Sequence, residues 1–138
     1  MRPGRREDVY KRQAFSQGHI THGMANAMYL PYVIRYNARA EEAFERYVEI
    51  ARIMGIEGTR KDSIEKLCGR IAEMNRYMGI PATLKELGID EDEFKEKLPE
   101  LAKNAVEDAC TGSNPRAVDA QSMEKLLTCV YYGQDVDF

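Results

Sequence analysis

Apolar positions recur every third and fourth residue along the chain, and no stretch alternates apolar and polar with the period of two that a half-buried strand requires. The pattern predicts an all-α, multi-helix bundle. A first helix is expected over residues 23–36, with Met24, Ala27, Met28, Pro31 and Ile34 or Arg35 on successive turns, and Pro31 removes one backbone donor inside it. A second is expected over 40–54, where Phe44, Tyr47, Val48, Ala51 and Met54 form one stripe and Gly55 stops it. Glu45 and Glu49 fall opposite that stripe and read as a solvated face. A third begins between Thr59 and Asp62 and carries Ile64, Leu67, Cys68, Ile71, Asn75 and Met78, ending at Gly79-Ile80-Pro81.

The second half of the chain is punctuated more often. Thr83 is placed to cap a short turn reaching Leu87, and Asp90 to cap a helix over 91–97 whose acidic first turn suits the helix dipole. Pro99 fits the first turn of a further helix that uses Leu98, Leu101, Ala102, Ala105 and Ala109. A last helix is expected over 119–132, presenting Met123, Leu126, Leu127 and Val130.

Length and charge narrow the classes. The 138 residues suffice for one domain with a real core. Residues 1–13 differ from the rest: Arg2, Arg5, Arg6, Lys11 and Arg12 against Glu7 and Asp8 leave this stretch at +3, and with a whole-chain charge of −3 the remainder carries −6. We expect a disordered leader there and a single helical domain over 14–138. One short basic tract with a single Tyr10 is a poor nucleic-acid footprint, and the acidic body gives none, so no nucleic-acid partner is expected. The leader lacks the apolar centre of a signal peptide, and no run approaches the roughly 20 apolar residues of a membrane helix.

Cys68, Cys110 and Cys129 are odd in number, widely spaced and without a C-x-x-C pair, which points to reduced thiols and a cytoplasmic setting. Cys68, on an apolar stripe, reads as a small core residue. The run Asp90 to Glu93 lacks the glycine and distal Glu of a calcium loop and is explained as a capped helix start.

Two places carry candidate chemistry. Both histidines, His19 and His22, stand at the mouth of the first helix, where an imidazole serves equally as a metal ligand or as a partly exposed side chain with no ligand duty. In the segment Cys110 to Pro115, Gly112 and Pro115 shape a tight turn and Asn114 is placed to bond that turn's backbone; a well-made turn without a ligand is the alternative.

These two places also carry a resemblance. His22-Gly23, Asn26-Ala27 and Leu30-Pro31-Tyr32-Val33-Ile34 resemble the metal-binding helix of the iron-containing (group III) alcohol dehydrogenases, with Thr21 where the family turn has proline. Asp108-Ala109-Cys110-Thr111 and Asn114-Pro115-Arg116 resemble a second turn of the same family, and residues 75–88 its connector. The resemblance covers about residues 18–138. It implies the C-terminal part of that family's helical domain, from an NAD(P)-dependent oxidoreductase that moves hydride between a primary alcohol or aldehyde and the nicotinamide ring. A divalent metal, Fe²⁺ or in some members Zn²⁺, then acts as Lewis acid on the substrate oxygen. Of the family's ligand set, one Asp and three His, only His22 has a counterpart; Cys110 would line the substrate cavity without acting as nucleophile.

The resemblance further implies an incomplete piece, inactive alone, binding neither metal nor NAD(P) tightly. Cut from the helices that cover it, the first helix is expected to leave Met24, Ala27, Met28 and Ile34 exposed and to favour self-association. The alternative is a non-catalytic helical protein-interaction module. Absence of copurifying metal and nucleotide would fit this alternative, and deletion of 1–13 discriminates a nucleic-acid binder using the basic arm.

Overall fold

The computed structural model describes residues 22–138; residues 1–21, and with them the expected leader and His19, lie outside the described residues. The helices are α1 (His22–Asn37), α2 (Glu41–Ile53), α3 (Arg60–Tyr77), α4 (Leu84–Leu87), α5 (Glu91–Glu107) and α6 (Ala120–Tyr132), with a 3-10 turn at Thr111–Ser113 between the last two. No strand occurs among the described residues, and the all-α expectation holds.

Three helix starts follow caps legible in the sequence, Thr59, Thr83 and Asp90, and Asp119, expected as the first residue of the last helix, caps it instead. The Thr59, Thr83, Asp90 and Asp119 side chains accept from the backbone N–H three residues on, at 3.3, 3.0, 3.0 and 2.7 Å respectively. Gly133 ends α6 with φ 74°, and a Cβ there would stand 3.0 Å from the Thr83 methyl, so both conformation and contact favour glycine.

Helix α1 is the axis of the molecule, packed against α3 on one side and α6 on the other. Its Ala25, Met28, Tyr32 and Tyr36 enter a core with Leu84, Phe94, Leu126 and Tyr131. Its Ile34 enters a second core with Ala51, Ile64, Leu67, Cys68 and Ile71. The expected exposure of α1 is therefore corrected: Met28 is 1% and Ile34 3% exposed, because the chain itself supplies both flanking helices. Met24 and Ala27 are half-buried, and of the large apolar residues of α1 Leu30 is 43% exposed; the other exposed large apolar side chains are Ile50, Ile53 and Met54 at the end of α2 and Met74, Tyr77 and Met78 at the end of α3. Met54 and Met78, expected on buried stripes, are among these.

Pro31 explains a polar residue on the apolar stripe of α3. Proline has no N–H for the carbonyl four residues earlier, which is that of Ala27. The Asn75 side-chain amide, 7% exposed, donates to this carbonyl at 2.8 Å and replaces the missing helical bond. Pro99 corrects the prediction differently. Rather than opening a new helix it lies inside α5, on an exposed position one turn after exposed Lys95, away from the packed face of the helix. The stripe Phe94, Leu98, Leu101 and Ala102 thus runs unbroken, while Ala109 falls past the helix end and is exposed.

Candidate functional site

The turn after α5 folds back onto the far end of α1. Asn37, the last residue of α1 and only 3% exposed, faces Asn114 in a reciprocal amide pair: Asn37 Nδ2 donates to Asn114 Oδ1 at 3.0 Å and Asn114 Nδ2 to Asn37 Oδ1 at 2.8 Å. Asn114 Nδ2 also donates to the Arg116 carbonyl at 2.6 Å, the backbone bond anticipated for it. Arg116 closes the junction, its Nη1 donating to the carbonyls of Tyr36 at 2.8 Å and Phe138 at 2.7 Å, with the guanidinium 3.9 Å from the Tyr36 ring centroid. The Tyr36 hydroxyl donates to the Ala117 carbonyl at 2.7 Å. Nothing in the sequence singled out Asn37, and Arg116 stood out only as part of the family motif, because the bonds that join the two elements run to an amide and a carbonyl 77 and 80 residues away.

Between these elements lies a cleft of about 210 Å³. Val33, Tyr36 and Asn37 form its α1 wall, Cys110, Thr111 and Asn114 its turn wall, and Val118, Met123 and Leu126 the remainder. Cys110 is exposed and engaged in no disulfide. The other two cysteines are buried, as expected for Cys68: its thiol lies 3.5 Å from the Pro31 carbonyl, and burial pushes its pKa up to about 11. A larger hollow of about 640 Å³ follows α6 and residues 134–138, and Cys110 is not among its lining residues.

His22 opens α1; its side chain lies outside the described residues. Val33 of the cleft is eleven residues further along the helix, roughly 16 Å of axis at 1.5 Å per residue. The backbone of His22 thus stands about three helical turns from the Val33 wall of the cleft. Among the described residues no group of three or more His, Cys, Asp or Glu is placed to hold a metal ion, so this part of the chain does not complete a metal site and no reaction step is assigned to one. Nor, among the described residues, is any helix long and apolar enough to cross a membrane.

Comparison with known proteins places the chain. Residues 13–131 match the "Fe-containing alcohol dehydrogenase family, C-terminal". The NADPH-dependent butanol dehydrogenase of Clostridium saccharobutylicum is 48% identical over 121 residues, covering 87% of this chain and 31% of that protein. The bifunctional aldehyde-alcohol dehydrogenase of Escherichia coli (strain K12) is 36% identical over 136 residues, covering 87% of this chain and 15% of that protein. The solved structure of an iron-containing alcohol dehydrogenase from Thermococcus thioreducens superposes with a TM-score of 0.75 at 33% identity, over 92% of this chain and 31% of that one. An all-helical domain with these likenesses belongs to an oxidoreductase family: the chain is a member of the Fe-containing alcohol dehydrogenase family and corresponds to its C-terminal region. It spans less than a third of the length of these relatives.

Proposed function

We propose that this chain is the helical, substrate-facing part of a metal-dependent alcohol dehydrogenase that uses NAD(P) to interconvert small primary alcohols and aldehydes. The observation that carries this reading is the family match over residues 13–131, with the His22-Gly23 start of the central helix α1 inside it. In this reading His22 supplies one imidazole to Fe²⁺ or Zn²⁺, a reasonable donor for borderline divalent ions, and Cys110 contributes a wall of the substrate cavity. The nicotinamide site and the remaining ligands belong to the part of the relatives' length that this chain does not span. The protein works in the cytoplasm and self-associates through its exposed apolar positions, with no nucleic-acid partner.

The test is a full-length protein carrying this region. His22→Ala should lower metal content and abolish NAD(P)-linked alcohol oxidation, while the 138-residue chain alone should show no such oxidation. Retained metal and activity in His22→Ala, or activity of the isolated chain above that of its His22→Ala variant, would overturn the reading.

A further inference from the structure

Residues 134–138 double back along α6 and are held mainly at their two ends. At the near end Gly133 turns the chain with φ 74°, and the Gln134 N–H bonds the Cys129 carbonyl at 3.0 Å. At the far end the Asp137 carbonyl accepts from Arg39 Nη2, and the Phe138 carbonyl from Arg116 Nη1 at 2.7 Å. The Phe138 ring stands 6.0 Å from the Tyr36 ring, with the Lys125 ammonium 5.7 Å from its centroid. Between the two ends Val136 packs against the aromatic core, while Gln134 and Asp135 are exposed. The hollow of about 640 Å³ is walled by this segment and by α6, with Thr128, Cys129, Asp135 and Phe138 among its lining. A segment tied at its ends beside a hollow lifts at low cost, because few packed atoms separate when it does.

Two features depend on where this segment sits. Cys129 is buried beside it, its thiol 3.6 Å from the Asp135 carbonyl. Burial, with the Asp137 and Asp135 carboxylates, holds that thiol above its ordinary pKa and so keeps it a poor nucleophile. Arg116 is the second dependent. Its side chain bonds the Phe138 and Tyr36 carbonyls, and its own carbonyl accepts from Asn114 Nδ2, the amide that pairs with Asn37. The far anchor of the segment and the Cys110 turn therefore share one residue.

We propose that residues 134–138 are a strap with two states: docked on Arg39, Arg116 and Tyr36 it holds the Cys110 turn to the end of α1 and shuts Cys129 in, and lifted at Phe138 it frees both. The strap goes beyond the alcohol dehydrogenase reading and requires no metal and no nicotinamide. It is testable on the 138-residue chain as it stands.

Iodoacetamide is added at mildly alkaline pH, and alkylation of each cysteine is followed by peptide mass spectrometry. Exposed Cys110 should react first, with Cys129 and Cys68 far slower. Phe138→Ala should speed Cys129 by roughly tenfold or more, the range that loss of a half-buried ring and its aromatic contact provides. Cys68 should keep its wild-type rate, since it lies in the other core and is reached only when that core opens. Amide exchange at Ser113 and Asn114, whose N–H groups bond the Cys110 and Thr111 carbonyls, should quicken together with Cys129. Phe138→Tyr keeps the ring and should behave as wild type. Arg39→Ala removes an exposed anchor, should move Cys129 in the same direction by a smaller factor, and serves as the second variant should Phe138→Ala not fold. An unchanged Cys129 rate in both variants would overturn the proposal, as would a Cys68 rate that rises in step with it, the sign of a loosened fold. Cys129 freed with exchange at Ser113 and Asn114 unchanged would overturn it too, because the strap would then hold nothing but itself. Failure of metal binding at His22 would not bear on it, since these measurements contain no metal.

Discussion

Around α1 the chain builds two cores from different materials. On the α4–α6 side the core is aromatic: Phe94 and Tyr131 stack with centroids 4.4 Å apart and planes 13° from parallel, and Tyr132 meets Tyr131 edge-on at 4.8 Å. Three phenols here have acceptors, Tyr131 in the Ile89 carbonyl at 2.8 Å, Tyr32 in the Ala82 carbonyl at 3.0 Å and Tyr132 in the Glu91 carboxylate at 2.7 Å. On the α2–α3 side the core is a small aliphatic set around Leu67 and Cys68, and six large apolar side chains remain on its outer surface. A ring with a bonded hydroxyl fixes both packing and orientation, whereas methyl groups fix only packing. The first core is closed on itself; the second is half of a surface.

The largest test of that contrast is truncation at the two centres. Phe94→Ala removes a ring that is 1% exposed and stacked, and should cost about 3–5 kcal/mol in urea unfolding. Ile64→Val, at the less tightly closed core, should cost about 0.5–1.5 kcal/mol. A Phe94→Ala cost at or below that of Ile64→Val would remove the distinction between the cores.

The hinge between the cores is α1 itself, and its register against α3 is expected to depend on Asn75. Asn75→Ala strands the Ala27 carbonyl, a loss of about 1–3 kcal/mol for an unsatisfied buried acceptor. In a Pro31→Ala background the helical N–H returns, residue 31 bonds the Ala27 carbonyl directly, and the same Asn75→Ala should lose most of its effect. A double-mutant cycle reads this coupling, and additive costs would show that Asn75 is not the substitute for the missing donor.

These pairs mark how far the sequence could be read. Thr59, Thr83 and Asp90 cap helices because capping is settled within three residues, and these caps were legible for that reason; Asp119 caps α6 by the same bond, where periodicity alone places it inside the helix. Pro99 misled because proline's effect depends on whether the carbonyl it leaves unbonded faces water or core, which is a tertiary fact. The apolar surplus was placed on α1 by reasoning from family architecture; which face α3 and α6 would cover was not in the periodicity. At the candidate site, Cys110 and Asn114 stood out from their local turn chemistry. Asn37 did not, and Arg116 stood out only through the family motif, since nothing near either in sequence shows what it will bond. His22 was legible only through motif resemblance, and its ligand role remains with the proposal above.

A smaller and pH-dependent effect distinguishes the aliphatic core. Cys68 has its thiol pKa raised by burial from 9.0 to about 11. The fold therefore favours the protonated thiol, so the contribution is whole below pH 9 and is lost as pH rises towards 11. Two units correspond to about 2 kcal/mol, after some allowance for water reaching the site. Burial also raises the phenols of Tyr29, to about 12, and of Tyr32 and Tyr131, so the wild-type chain weakens further in alkali. The difference between wild type and Cys68→Ala isolates the thiol. Urea midpoints measured from pH 8 to 11 should converge as pH rises, and parallel curves would show that Cys68 is not held protonated by the core.

The smallest expected change in stability comes from the outer surface of the same half. Ile50, Ile53 and Met54 on α2 and Met74, Tyr77 and Met78 on α3 repeat one spacing, i, i+3 and i+4, which places each trio on a single stripe near its helix end. Tyr77 is 94%, Ile53 75% and Met78 62% exposed, so within the monomer these side chains have little burial to lose. The triple variant Ile53→Gln, Tyr77→Ser, Met78→Gln should shift unfolding by no more than about 0.5 kcal/mol for each substitution. Its effect should appear instead in association, because contiguous exposed apolar positions are where copies or partners bury surface. Sedimentation at rising concentration should show wild type associating and the triple variant staying monomeric at equal stability. If the triple variant unfolds several kcal/mol more easily, these residues belong to the monomer's core after all, and the two halves around α1 are equally closed.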